Sequence, residues 1–112
     1  MIIQTMKEGA GLVVTVSGRM DAVTAPEYEQ KFEEMLSNGE TDFVIDFEKL
    51  EYISSAGLRA LLSTSKKIRN KNGKIHLANV CGNVREVFDI SGFTGIFQVH
   101  GSVAEALAVI AG

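Results

Sequence analysis

The chain has 112 residues, the size of one domain, and by size scaling it buries about 65% of its unfolded surface in a single core. Apolar residues make up 46% and charged residues 22%, which excludes wholesale disorder. The net charge of -3 excludes the basic field on which direct nucleic-acid binding rests.

Two extended stretches open the chain, Ile2–Met6 and Leu12–Ser17. Glu8-Gly9-Ala10-Gly11 lies between them, and its glycines suit a hairpin turn. A helix is expected from Ala25 to Ser37. Thr24 and Glu27 stand at capping-box spacing, Pro26 falls in the first turn, and Tyr28, Phe32, Met35 and Leu36 form one buried stripe. Asn38-Gly39 supplies the stop. Phe43–Phe47 reads as a compact strand, followed by a connection and a helix from Ala56 to about Asn70 that ends at Asn72-Gly73. Leu58, Leu61, Leu62, Ser65 and Ile68 are its inward positions.

Lys74–Asn79 is the next expected strand and Asn83–Ile90 a short helix with Val84, Val87 and Phe88 on one side. Ile96–His100 is the expected last strand. Ser102 and Glu105 form a second capping box, opening a terminal helix that buries Val103, Ala106, Leu107 and Ile110. Beyond the hairpin, helix and strand alternate, which argues for crossover connections and a largely parallel sheet in one α/β domain over residues 1–112.

Apolar runs such as Leu12–Val16 and Phe43–Ile45 fall far short of a membrane span of about 20 residues. The opening Met1-Ile2-Ile3-Gln4 has no basic segment leading into an apolar one, so no signal peptide is expected. Cys81 is the single cysteine, so an internal disulfide and a thiolate metal cluster are both excluded. These features favour a reducing cytoplasm, with Cys81 as a small packing residue.

The segment that carries chemistry is Asp46-Phe47-Glu48-Lys49-Leu50-Glu51-Tyr52-Ile53-Ser54-Ser55-Ala56-Gly57-Leu58. It places two serines at the start of a helix, beside free backbone N–H groups and the positive end of the helix dipole. Such a position favours an anion, including a phosphate on the serine itself. On spacing alone the favoured reading is a plain N-cap serine, because such caps are common. Gly57, lacking a side chain, lets a backbone or a ligand come close.

In this order of elements, Ile53-Ser54-Ser55-Ala56-Gly57-Leu58 resembles the signature loop of the STAS family. Val16-Ser17-Gly18-Arg19-Met20-Asp21 and Val87-Phe88-Asp89-Ile90-Ser91-Gly92-Phe93 resemble that family's early strand end and its third helix with the following turn. The resemblance implies a mixed sheet of about four to five strands with amphipathic helices mostly on one side. It implies an anti-sigma-factor antagonist that binds an anti-sigma factor, itself a serine kinase of the histidine-kinase-like ATPase type. Phosphorylation of the loop serine would end that binding, and a serine phosphatase would restore it.

Gly57 and Leu58 fix the register. The implied phosphoacceptor is then Ser55, with Ser54 as rival because it stands where such antagonists often carry aspartate. The implied partner-binding set is Asp21, Ser54, Ser55, Ala56, Gly57 and Arg59, in a monomer or weak dimer. From the residues alone Asp21 reads equally as a turn or capping carboxylate. Arg59 reads as an anion partner or a solvated residue.

Lys66, Lys67, Arg69, Lys71 and Lys74 gather at the far end of the same helix, where they complement its negative pole. His76 and His100 stand isolated in expected strands with no acidic neighbours at ligand spacing, so no metal is expected. Ile90 and Phe93 are expected in the core, with an exposed binding patch as the alternative. No nucleotide-cradling loop, dinucleotide fingerprint or nucleophile elbow occurs, so neither a cofactor nor enzyme activity is expected. The competing readings are an unphosphorylated STAS scaffold or lipid-transport accessory, and a small phosphocarrier.

Overall fold

The computed structural model describes all 112 residues. β1 (Ile2–Glu8) and β2 (Gly11–Met20) form the hairpin, and α1 (Ala25–Ser37) follows. Next come β3 (Asp42–Asp46), β4 (Leu50–Ile53) and α2 (Ser55–Asn70). β5 (Lys74–Ala78), α3 (Gly82–Ile90), a single 3-10 turn (Phe93–Gly95), β6 (Val99–His100) and α4 (Val103–Ala111) complete the chain.

The sheet runs β1-β2-β3-β5-β6, with β1 antiparallel to β2 and the remaining pairs parallel. β4 pairs in parallel with the far end of β2, so the sheet has six strands, not the four to five expected. β2 is long enough for both partners: Leu12–Thr15 pair with β3, and Gly18–Met20 pair with β4. The register shifts between Gly18 and Arg19, where Gly18 takes a φ of 94°. An irregularity of this kind re-aims a strand end, and here it turns Met20 and Asp21 toward β4.

Alternation along the central strands feeds two layers. Val14, Val16, Phe43, Ile45 and Leu77 face α1, α2 and α3 and join Phe32, Leu61, Ile68 and Phe88 in the main core. Val13, Val44 and Ala78 face α4, against Ala106 and Ile110. Three helices therefore cover one face and one covers the other. Phe32 lies fully buried between Tyr28 and Phe43, at ring separations of 4.8 and 5.3 Å. Cutting such a side chain back to alanine costs roughly 3–5 kcal/mol.

Several local expectations are corrected. Leu50–Ile53 is a strand and not a connection. Its buried positions are the outer two, Leu50 and Ile53, which hides the alternation that marks a strand. The last strand is only Val99–His100, because Phe93–Gly95 turn first and tuck Phe93 and Phe97 into the core. Thr24 makes no cap bond to α1. Its hydroxyl accepts from the Asp21 N–H (2.9 Å) and donates to the Arg19 carbonyl (2.9 Å). The box at Ser102 does form: Ser102 Oγ accepts from the Glu105 N–H (3.1 Å), and Glu105 Oε2 accepts from the Gly101 N–H (3.0 Å). Cys81 is exposed at the start of α3, and Ile90 is 87% exposed, so neither is a core residue. No helix is long and apolar enough to cross a membrane.

Candidate functional site

β2 and β4 end side by side, and each launches a helix from its C-terminal end. In open α/β sheets this is the edge where binding sites form. Met20 pairs with Ile53, so the next residues, Asp21 and Ser54, stand at adjacent strand ends. The Ser54 N–H donates to the Met20 carbonyl at 2.9 Å, joining the two loops.

The serines have different jobs. Ser54 is the N-cap of α2: its backbone is extended (φ −95°, ψ 176°) and its Oγ accepts from the Gly57 N–H at 3.2 Å. That contact satisfies one of the orphan donors of the first turn, and such a cap contributes about 1 kcal/mol. Ser54 is half-buried. Ser55 is the first residue of the helix; it is exposed, and capping makes no use of its hydroxyl. The N-cap reading and the reactive-hydroxyl reading therefore fall on two different residues.

Ala56 is half-buried and Gly57 buried. A Cβ on Gly57 would lie 2.4 Å from the Met20 carbonyl oxygen and 2.8 Å from Ile53 Cγ1. The close approach expected at this glycine is thus made by the chain's own β2, which brings the start of α2 down onto the strand ends.

Asp21 organises the other loop. Its Oδ1 accepts from the Val23 N–H (3.0 Å) and the Thr24 N–H (3.1 Å), and its Oδ2 lies 3.7 Å from Arg19 Nε. The Thr24 N–H above all, and then Val23, the Thr24 hydroxyl and Arg19, hold its carboxyl below the usual aspartate range, against partial desolvation. Arg59 stands exposed on α2, four residues beyond Ser55 and so on the same face. It takes part in none of the ion pairs of the protein.

Sequence reasoning missed the rim of this surface. Arg19 stacks over the Tyr52 ring at 4.2 Å, and Val23 is 87% exposed. Tyr52 could be placed only by pairing β4 with β2, and that strand carried no alternating signal. No group of histidine, cysteine and carboxylate side chains is arranged to hold a metal ion. The two histidines, isolated in sequence, meet through β5 and β6: His76 Nδ1 and His100 Nε2 are 3.0 Å apart.

A family profile for the STAS domain matches residues 2–106. BtrV of Bordetella bronchiseptica, provisionally named an anti-sigma factor antagonist, is 38% identical over 97 residues, 87% of this chain and 84% of that one. An anti-sigma factor antagonist from Mycobacterium paratuberculosis, solved by crystallography, superposes with a TM-score of 0.83 at 25% identity. The match covers 99% of this chain and 94% of that one. The Bacillus cell-fate determinant SpoIIAA in its phosphorylated form shares the fold, with a TM-score of 0.73 at 22% identity over 97% of this chain and 99% of that one.

The chain belongs to the STAS domain family. Within that family its place is with the anti-sigma factor antagonists, a regulatory class that is not defined by catalysis.

Proposed function

We propose that the protein is a partner switch. In its unphosphorylated form it binds an anti-sigma factor through the face built by the β2–α1 and β4–α2 loops, with Asp21, Ser54, Ser55, Ala56, Gly57 and Arg59 at its centre. The partner is a kinase of the histidine-kinase-like ATPase type. It moves the γ-phosphoryl group of ATP onto Ser55 Oγ, releasing ADP and the hydroxyl proton, and a serine phosphatase reverses the step by hydrolysis. The chain contributes the acceptor and the surface and performs no turnover of its own, in the cytoplasm.

The observation that carries this reading is the division of labour between the serines. Ser54 is engaged as the cap, whereas Ser55 presents an exposed hydroxyl at the positive end of a 16-residue helix. A phosphate there adds about -1.5 to -2 charge beside unpaired N–H groups and within one turn of Arg59. SpoIIAA, which has the same fold, exists in a phosphorylated form, and this supports the same chemistry here. Peptide mass spectrometry on protein isolated from cells tests the acceptor. Phosphate is expected on Ser55, lost in Ser55→Ala and kept in Ser54→Ala; the reverse pattern overturns the assignment.

A further inference from the structure

The helix that carries Ser55 at one end frames a basic cleft at the other. Ser55 and Arg69 are fourteen residues apart on α2, about 21 Å along a helix rising 1.5 Å per residue, so the cleft is separate from the switch face. Its volume is about 380 Å³. Arg69, Lys74, His76 and Gln98 line it, with Ile96 and Val109 as an apolar wall. Arg69 and Lys74 enter none of the protein's ion pairs, whereas Lys67, on the same helix, is paired with Glu33.

His76 distinguishes this place from an ordinary run of surface lysines. It is 4% exposed, yet it lines the cleft. Its Nδ1 is committed to His100 Nε2 at 3.0 Å, while its Nε2 has no hydrogen-bond partner in the protein. That nitrogen is not sealed in the core either, since the one buried polar side-chain atom without a partner is Ser65 Oγ. A neutral imidazole donates from one nitrogen and accepts at the other. If His100 Nε2–H donates to His76 Nδ1, then His76 must carry its proton on Nε2, toward the cleft. If His76 is cationic, Nδ1–H donates to His100 and Nε2–H again faces the cleft. In the remaining arrangement neutral His76 donates from Nδ1 and its Nε2 is an acceptor; an oxyanion beside Arg69 and Lys74 selects the two arrangements that present a donor.

We infer that this cleft is a binding site for a small oxyanion, a phosphate monoester or carboxylate with an apolar body, held by Arg69, Lys74 and His76 Nε2–H. The guanidinium and ammonium supply charge-assisted bonds, Gln98 supplies a neutral polar partner, and Ile96 and Val109 take the apolar part. The negative pole of α2 works against an anion here, and the two cations offset it, helped by the engagement of two of the last-turn carbonyls. Ile68 O accepts from Lys71 and Gly73, and Arg69 O accepts from Asn72.

Burial above all, then His100 and Lys74, lowers the His76 pKa, and Asp42 on β3 raises it. From α2 the nearest charge in the cleft is Arg69, and α4 contributes only Val109. A bound anion favours the imidazolium, so by linkage the affinity rises as pH falls through and below the ordinary histidine range.

The test is a titration of the full chain followed by backbone amide and imidazole ¹H–¹⁵N spectra, with inorganic phosphate, phenyl phosphate and benzoate as separate probes. Saturable shifts centred on Gly73–His76 are expected, with half-saturation below about 10 mM for phenyl phosphate. Phenyl phosphate should bind more tightly than inorganic phosphate, and the imidazole spectrum should show His76 protonated at Nε2. Comparing phenyl phosphate with benzoate tells a phosphate site from a carboxylate site. The exposed double variant Arg69→Gln/Lys74→Gln should weaken binding about tenfold or more, while Ser55→Asp leaves it unchanged. Absence of a saturable shift with all three probes, shifts unaltered in the double variant, or shifts centred on Ser55–Gly57 would each overturn the inference.

Discussion

Substituting Gly57 by alanine tests how the β4–α2 loop is held. The new Cβ would meet the Met20 carbonyl oxygen at 2.4 Å and Ile53 Cγ1 at 2.8 Å. Ile53 is 2% exposed and Met20 fully buried, so neither can swing aside into solvent. Relief requires α2 to lift away from the ends of β2 and β4, stretching the Ser54 N–H bond to Met20 O. Overpacking of this kind costs about 1–3 kcal/mol and the weakened hydrogen bond about 1 kcal/mol more. Alanine's better helix propensity returns up to about 1 kcal/mol. The net loss is therefore about 1–3 kcal/mol, which at roughly 4–8 °C per kcal/mol for a domain of this size lowers Tm by about 5–20 °C. Thermal and urea unfolding followed by circular dichroism would measure it, with Ser55→Ala, on the exposed neighbour, as a control expected near wild type. A Gly57→Ala protein as stable as the parent would show that α2 does not rest on the Met20 carbonyl, and the account of the loop's position would fail.

Asp21→Asn should remove a pH dependence. A carboxyl held below its unfolded value of 3.8 contributes stability that is present above that pH and lost as pH falls through the lower folded value. The wild type's advantage over Asp21→Asn should accordingly be constant near neutrality and shrink below pH 3.8, and an advantage that grows on acidification would contradict the assignment. Tyr28→Phe removes a buried hydroxyl that lies 2.8 Å from Thr64 Oγ1, which itself donates to the Ala60 carbonyl. The loss should be about 1 kcal/mol in chemical unfolding, and a more stable variant would show the bond to be dispensable.

Where the sequence was informative, local chemistry and tertiary need agreed. The stripe at Tyr28, Phe32, Met35 and Leu36 is the buried face of α1, and Asn72 ends α2 with a φ of 59°. The loop at Ser54–Leu58 was legible because a cap, a glycine and a following apolar helix occur together. What could not be read depended on partners distant in the chain. β4 exists because β2 extends beyond β3, and Gly57 is small because Met20 lies above it. Thr24 and Glu27 have the right spacing for a capping box, yet Asp21, three residues earlier, takes the loop's N–H groups. Ile90, the last residue of α3, stands off the stripe of Val84, Val87 and Phe88 and is exposed. His76 and His100 are separated by twenty-four residues and meet only because β6 adds to β5 in parallel.

The central claim is that phosphate on Ser55 breaks the partner interface while leaving the fold intact. In the free domain the dipole and first-turn N–H groups of α2 accept the charge, the dipole alone by about 0.3–1 kcal/mol. Buried against a surface shaped for a neutral hydroxyl, the same charge costs several kcal/mol, and about 3 kcal/mol already lowers affinity by about 100-fold. The direct measurement is titration calorimetry of the cognate anti-sigma factor with unphosphorylated protein, Ser55-phosphorylated protein and Ser55→Ala, with thermal unfolding of each alone. The account predicts tight binding by the unphosphorylated protein and Ser55→Ala, binding about 100-fold weaker or worse on phosphorylation, and closely similar unfolding midpoints. Equal affinity with and without the phosphate, or weaker binding that appears only because the phosphorylated domain has unfolded, would contradict it.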